Sequence, residues 1–356
     1  MATLTDVTIA TAGKLRLAIR EKQNPNMIDL TEITQVHEAT HLATGGYNSV
    51  WLIKLHYPLQ ITQSADINSP QADAVREFVL RLPYQDALLP NQITNDVAFK
   101  QLVAKKLPHI PEYIDCPPLS STWMSLTHAQ KENMGHALAK IFIDLVEVRF
   151  NMIGGLDPIT QSLAPTVEGC KIFKGRRQFH RIDCYPIGPY KSTKEYILSC
   201  YDREIYYYTH ATDKDINPYL FTNTTAQAFI ETLRQKRAAL AATDMIDEPF
   251  VLVHGDFHGR NILARGDQIT AVIDFDFAGS YPLSEALSCG SIEIVECDSV
   301  ESFEEMCTWD QKIRGFIQHE AETRGWDQSQ IELLMGNHNI ELGKARTEMA
   351  PNFNPF

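Results

Sequence analysis

The stretch FVLVHGDFHGRNILARGDQITAVIDFDFAG (residues 250–279) constrains the fold more than any other part of the chain. FVLV is an apolar, β-branched run that reads as a strand, and it ends abruptly in polar residues. NILARGDQITAVIDF then places two apolar runs about a Gly-Asp pair, the pattern of a hairpin. Together they predict a strand, a polar loop, and a hairpin whose far end returns beside that loop. Asp256 and Asn261 stand five residues apart on the loop, and Asp274 follows thirteen residues later at the end of the hairpin. The hairpin cancels that separation. Three oxygen-bearing side chains are therefore expected around one point.

Such a set suits phosphoryl transfer, which needs a carboxylate to orient or deprotonate an attacking hydroxyl and oxygen ligands to hold magnesium on the phosphates. The Asp256–Asn261 spacing is that of a kinase catalytic loop, with Asp as base and Asn as magnesium ligand. Magnesium is a hard ion, so a carboxylate and an amide oxygen suit it. A single Asp after a strand is more often a turn residue, and only the joint spacing of the three supports the chemical reading. His254 and His258 could be read as zinc ligands, but no second His-rich cluster follows to complete a site. Their simpler reading is hydrogen-bonded support within the core. Asp276, two positions after Asp274, would face the same side if both lay on a strand. It is then either a second metal contact or a solvated neighbour.

A chain of 356 residues is long enough for two lobes. Its net charge of −13 opposes a nucleic-acid surface, which requires a dense basic face. No apolar run approaches the roughly 20 residues that cross a bilayer, and the N-terminus lacks an apolar signal core, so a cytoplasmic protein is expected. Seven cysteines without a CxxC pair read as reduced thiols.

Along the chain, residues 11–23 read as a helix. HLATGGYNSVWLIKL (41–55) reads as a glycine turn feeding a strand, 56–75 as a loop and EFVLRLP (77–83) as a second strand. NQITNDVAFKQLVAKKL (91–107) has helical periodicity, and helical patterns recur at 127–150, 193–210 and 222–243. The expected class is α+β: a small β-rich part, residues 1–115, and a larger helical part, residues 116–356, carrying the hairpin. An acidic stretch near 293–305 reads as a solvated face, or as a surface that attracts a cationic acceptor such as an amine.

HGDFHxxN followed by IDFD resembles the aminoglycoside phosphotransferase and choline kinase family, relatives of the protein kinases, and most of all its fungal small-molecule branch. GGYNSVWLIKL resembles that family's glycine loop and first strands, FVLRLP its third strand, and NDVAFKQL the helix packed on it. The stretch from VEVRFNMIGGL to GPYKSTKEYI resembles the middle of the fungal members. The resemblance implies a bilobal protein-kinase-like fold that binds ATP and magnesium and phosphorylates a hydroxyl group of a small molecule. It implies Asp256 as base, Asn261 and Asp274 as magnesium ligands, and His254 as a brace. Gly45, Gly46 and Asn48 would form the nucleotide loop, Arg81 would contact phosphate, and Asp96 would stand in the place of the Glu that pairs with it. Between HIPEYIDC and PPLSSTWMSL the family has further strands and an adenine-holding hinge, and this chain is much shorter there. That departure implies an alternative, a kinase-like pseudo-enzyme with impaired ATP binding that acts as a binding protein. The acceptor and the oligomeric state are not legible in the sequence.

Overall fold

Alternating β-branched and aromatic residues in the N-terminal part form a sheet because they suit a pleated surface with one buried face. In the computed structural model, β1 (Val36–Thr44), β2 (Asn48–Gln60) and β3 (Ala74–Pro83) form an antiparallel sheet in the order β1-β2-β3. Ile53 and Leu55, two apart on β2, are both buried. Thr44 pairs with Ser49, and Val50 with Arg81. β2 runs to Gln60, beyond the expected start of the loop at 56, because the ladder resumes at Leu59–Val75 after an irregularity. The structure describes residues 36–44, 48–60, 74–83, 91–110, 116–167, 177–212, 221, 224–245, 248–287 and 292–336. The expected helix at 11–23 and the glycines Gly45 and Gly46 lie outside these, and Asn48 and Arg81 are described through their backbone alone.

The chain separates into two compact units, Met1–Leu88 and Leu89–Phe356. This differs from the expected division near residue 115 by one helix, α1 (Gln92–Lys106). Its apolar face explains the difference: Ala98, Phe99 and Val103 join a buried cluster with Leu145, Leu252 and Phe275 of the second unit. Burial of a Phe or Val side chain contributes about 1.5–3 kcal/mol, so this face decides which unit holds the helix.

The second unit is mainly helical: α2 (Leu119–Thr122), α3 (His128–Val146), α4 (Thr193–His210), α5 (Ala226–Ala242), α6 (Val300–Thr323) and α7 (Gln328–Leu334). α3 starts at a capping box, in which the side chains of Thr127 and Gln130 each accept the other residue's backbone N–H. Leu138 and Ile143 of α3, Leu233 of α5 and Ile313 and Ile317 of α6 share the main core. At the end of α6, Arg324 donates to Asp144 (2.7 Å) and Glu147 (2.9 Å), tying α6 to the end of α3. The acidic stretch expected to be solvated runs into α6, where Glu305 is turned inward. It pairs with Lys131 and accepts the Trp123 indole N–H at 3.1 Å.

Among the described residues, this unit also holds seven short strands: β4 (Arg149–Phe150), β5 (Gly155–Leu156), β6 (Leu163–Ala164), β7 (Phe250–Val253), β8 (Ile262–Arg265), β9 (Gln268–Val272) and β10 (Gly279–Pro282). β7 is the middle strand of a three-stranded sheet in the order β10-β7-β4, and all four of its residues are buried. β8 and β9 form the expected hairpin about Gly266 and Asp267. Among the described residues, Cys116, Cys184, Cys200, Cys297 and Cys307 form no disulfide. No helix among them is long and apolar enough to cross a membrane.

Candidate active site

The loop that leaves β7 is fixed by its own side chains. Gly255 turns the chain at φ +79°, a conformation that an L side chain rarely adopts. The buried imidazole of His254 accepts the Asp256 N–H at Nδ1 (3.3 Å) and donates from Nε2 to the carbonyl of Ile273 (3.0 Å). These partners define the Nε2–H tautomer. Burial holds the His254 pKa below its ordinary value, against the opposing charges of Asp256 and Asp274, so the ring is a neutral strut. It joins the loop to the end of the hairpin.

Both oxygens of the Asp256 carboxylate accept a hydrogen bond. Oδ1 lies 3.1 Å from His258 Nε2, and Oδ2 accepts from Asn261 Nδ2 at 3.0 Å. His258 is itself oriented, because its Nδ1 accepts the Arg260 N–H (3.2 Å) and leaves Nε2 as the donor. Asn261 Nδ2 also reaches the Asp256 carbonyl at 2.9 Å, so the amide nitrogen is spent on the loop and the amide oxygen remains for a ligand. Burial alone would raise the Asp256 pKa, but the hydrogen bonds from His258 and Asn261 together hold it below the usual carboxylate value. Its side chain is 34% exposed. This is an ionised, oriented carboxylate open to a reactant.

The hairpin brings the other half of the constellation to the loop. Ile262 pairs with Val272, and the Ile273 N–H donates to the Asn261 carbonyl at 2.9 Å, so Asp274 is the next residue after a partner of Asn261. Asp274 does not continue the strand. It adopts a left-handed conformation (φ +67°, ψ +62°), uncommon for a residue other than glycine, and feeds a short 3-10 turn at Phe275–Phe277. Strand alternation therefore does not relate Asp274 to Asp276, contrary to the sequence expectation. Asp276 is buried, so it is no solvated neighbour. One carboxylate oxygen from each of Asp96, Asp274 and Asp276 lies within 4.8 Å of the others.

α1 clamps this turn. Asp96 Oδ1 accepts the Phe275 N–H at 2.8 Å, and its Oδ2 pairs with Lys100 at 2.7 Å. Asn95 donates to the Ala278 carbonyl (2.8 Å) and accepts the Leu156 N–H (2.9 Å). A carboxylate on an amphipathic helix is usually solvated, but Asp96 is only 8% exposed. Asn95 escaped notice in the sequence, where nothing marks a lone polar residue as a clamp. The donors present, which are carboxylates and one amide oxygen, match the hard-oxygen preference of magnesium. Asn261, Asp274 and Asp256 are brought together, whereas Gly45, Gly46, Asn48 and Arg81 belong to the first unit.

A cavity of about 170 Å³ opens beside the loop. Asp256, His258, Arg260 and Glu293 line it together with buried apolar side chains, among them Phe142 and Leu287. Replacing His258 by Ala removes the donor on Asp256 Oδ1. A hydrogen bond to a charged group contributes about 1.5–3 kcal/mol, so kcat of any reaction that this carboxylate serves is expected to fall at least about tenfold. Steady-state kinetics measure this, and an unchanged kcat would show that Asn261 alone orients the carboxylate.

Comparison with known proteins gives one direct answer. No curated protein sequence matches the chain. The aminoglycoside phosphotransferase APH(2'')-IIa in its gentamicin complex is 14% identical over 98% of this chain and 97% of its own, with a TM-score of 0.43. ADP-bound APH(2'')-Ib is 12% identical over 91% and 97%, with a TM-score of 0.43. For APH(4)-Ia the values are 12%, 97% and 100%, with a TM-score of 0.42. The family model of the APH phosphotransferase enzymes matches residues 70–289, more than half of the chain, from β3 through the loop and hairpin to the segment after β10. With that match spanning every residue of the loop and hairpin, the chain belongs to the APH phosphotransferase enzyme family.

Proposed function

We propose that the protein transfers the γ-phosphoryl group of ATP to a hydroxyl group of a small molecule. The observation that carries this reading is the Asp256 carboxylate, held through both oxygens and kept ionised, beside the end of the hairpin that presents Asp274. In the step, the acceptor oxygen forms a bond to the γ-phosphorus while the bond to the β,γ-bridging oxygen breaks and ADP departs. The hydroxyl proton passes to Asp256 and then to water. An ionised carboxylate is a weak base at neutral pH, so Asp256 acts first by orienting the hydroxyl in line, which is where much of the rate in such reactions originates.

Asn261 and Asp274, with Asp276 and Asp96 close to Asp274, would hold magnesium, whose charge offsets that of the phosphates. Gly45, Gly46 and Asn48 would offer backbone amides to the nucleotide, and Arg81 a guanidinium fork. Asp96 would contribute indirectly, by fixing the turn that presents Asp274.

A second reading is a kinase-like binding protein without turnover. It is favoured by the short connection between Lys106 at the end of α1 and Leu119 at the start of α2, where the family has its hinge. A thermal-shift measurement separates the two. A ligand at about 100 times its Kd adds about 2.7 kcal/mol to the native state, so millimolar Mg-ATP is expected to raise Tm by several degrees. No shift would select the second reading.

A further inference from the structure

The cavity beside Asp256 also carries information about the acceptor. Its closed end is built from buried apolar side chains, including Phe142, Leu145, Leu252, Leu287 and Ile292. Its open end holds Asp256 and two exposed charges of opposite sign, Arg260 and Glu293, which lie 3.6 Å apart and offset one another. The Gly259 N–H donates to the Glu293 carbonyl at 2.8 Å, and a Cβ on Gly259 would fall 2.4 Å from the Ile294 carbonyl oxygen. That closeness fixes the segment carrying Glu293 against the loop carrying Asp256.

Size and charge together restrict what can enter. A cavity of about 150 Å³ is large enough for a benzene ring. The volume here, about 170 Å³, is of that order and well below the roughly 300–1,000 Å³ of pockets that take drug-sized ligands. A polycationic acceptor would need several acidic groups facing it, because each unpaired charge is costly to desolvate. Among the described residues, the carboxylates and guanidinium lining this cavity are those of Asp256, Arg260 and Glu293, and two of those cancel.

Building on the phosphotransferase reading above, we propose that this cavity receives the acceptor, and that the acceptor is an uncharged alcohol with a compact apolar body about the size of one aromatic ring. The body is buried among Leu287, Ile292 and Phe142, and the hydroxyl lies at the open end against the Asp256 carboxylate. Phosphoryl transfer then follows the balance already given, with the proton on Asp256 and ADP as the leaving group.

The test uses the full chain with Mg-ATP, following ADP release and the phosphorylated product by mass spectrometry. Benzyl alcohol and isoamyl alcohol are offered against kanamycin and choline. The apolar alcohols are expected to be phosphorylated with kcat/KM at least about tenfold higher. Ile292→Trp, which fills the cavity, is expected to lower kcat/KM for benzyl alcohol by about tenfold or more and to keep the Mg-ATP-induced rise in Tm. Leu287→Ala enlarges the cavity and is expected to shift preference toward a bulkier alcohol such as borneol by a similar factor, and it decides the matter if the tryptophan variant does not fold. Failure to phosphorylate the apolar alcohols overturns the acceptor assignment, as does an unchanged preference in Leu287→Ala. Both leave the ATP reading standing if Mg-ATP still raises Tm, whereas absence of that rise in the unmodified protein defeats the ATP reading itself.

Discussion

An Asp256→Asn protein is expected to keep its Mg-ATP-induced rise in Tm and to lose about 10²–10⁴-fold in kcat, the usual contribution of a positioned acid–base group. Asparagine occupies nearly the same volume, and its amide oxygen can still accept from His258 Nε2 in place of Oδ1. At the second position the new amide nitrogen would face Asn261 Nδ2, donor to donor, where the carboxylate accepts at 3.0 Å. Asn261 keeps its other bond, to the backbone carbonyl at the substituted position (2.9 Å), so the loop retains most of its shape. The variant therefore isolates the charge and basicity of the carboxylate from its bulk. ADP release and thermal shift, measured on one preparation, check both halves. Turnover at the parent rate would assign the base to another residue, and loss of the Tm rise would show that Asp256 supports nucleotide binding.

Gly255→Ala is expected to destabilise the protein by about 3 kcal/mol or more and to abolish most activity. The residue sits at φ +79°, where a side chain costs roughly 1–2 kcal/mol through crowding against the backbone. A Cβ there would also fall 2.2 Å from the Phe277 carbonyl oxygen and 2.8 Å from its carbon, atoms of the backbone that no rotamer change can move. Relief requires the Asp256 loop and the turn at Phe275–Phe277 to separate, and their close approach is what brings Asp256 and Asp274 together. Gly266→Ala is the control. Gly266 adopts φ +61° at the hairpin turn, and a Cβ there meets nothing within 4 Å. It is expected to cost only the conformational term, roughly 1–2 kcal/mol. Denaturant unfolding of the two variants measures the difference, and equal losses would mean that the close approach at Gly255 has no energetic weight.

The elements that could be read without coordinates share one property: their signal is local. FVLV is apolar at every position and becomes the fully buried β7. The Gly-Asp pair at 266–267 makes the hairpin because glycine adopts a positive φ at little cost. The helical periodicity at 91–107 and 193–210 matches α1 and α4 within a residue or two, since each has one face to bury. The long helix α6 is legible in the same terms, through Met306, Trp309, Ile313, Ile317 and Ala321, although the acidic residues around its start draw attention away from that spacing.

The sequence by itself determines the class of fold, the strand–loop–hairpin order and the convergence of Asn261 and Asp274 on the loop of Asp256, because nearest-neighbour pairing of a hairpin follows from residues a few positions apart. The tertiary structure alone decides the rest. Which unit takes α1 depends on Ala98, Phe99 and Val103 packing against Leu252 and Phe275, with Asn95 reaching the Ala278 carbonyl across 183 residues of chain, and no local preference reports such contacts. Asp276 is turned inward because Asp274 adopts a left-handed backbone that its residue type rarely takes, a conformation the surroundings must impose. The Asp256 carboxylate is ionised rather than neutralised by its burial because His258 and Asn261 each reach one of its oxygens, and that balance of desolvation against hydrogen bonds exists only once the loop is folded.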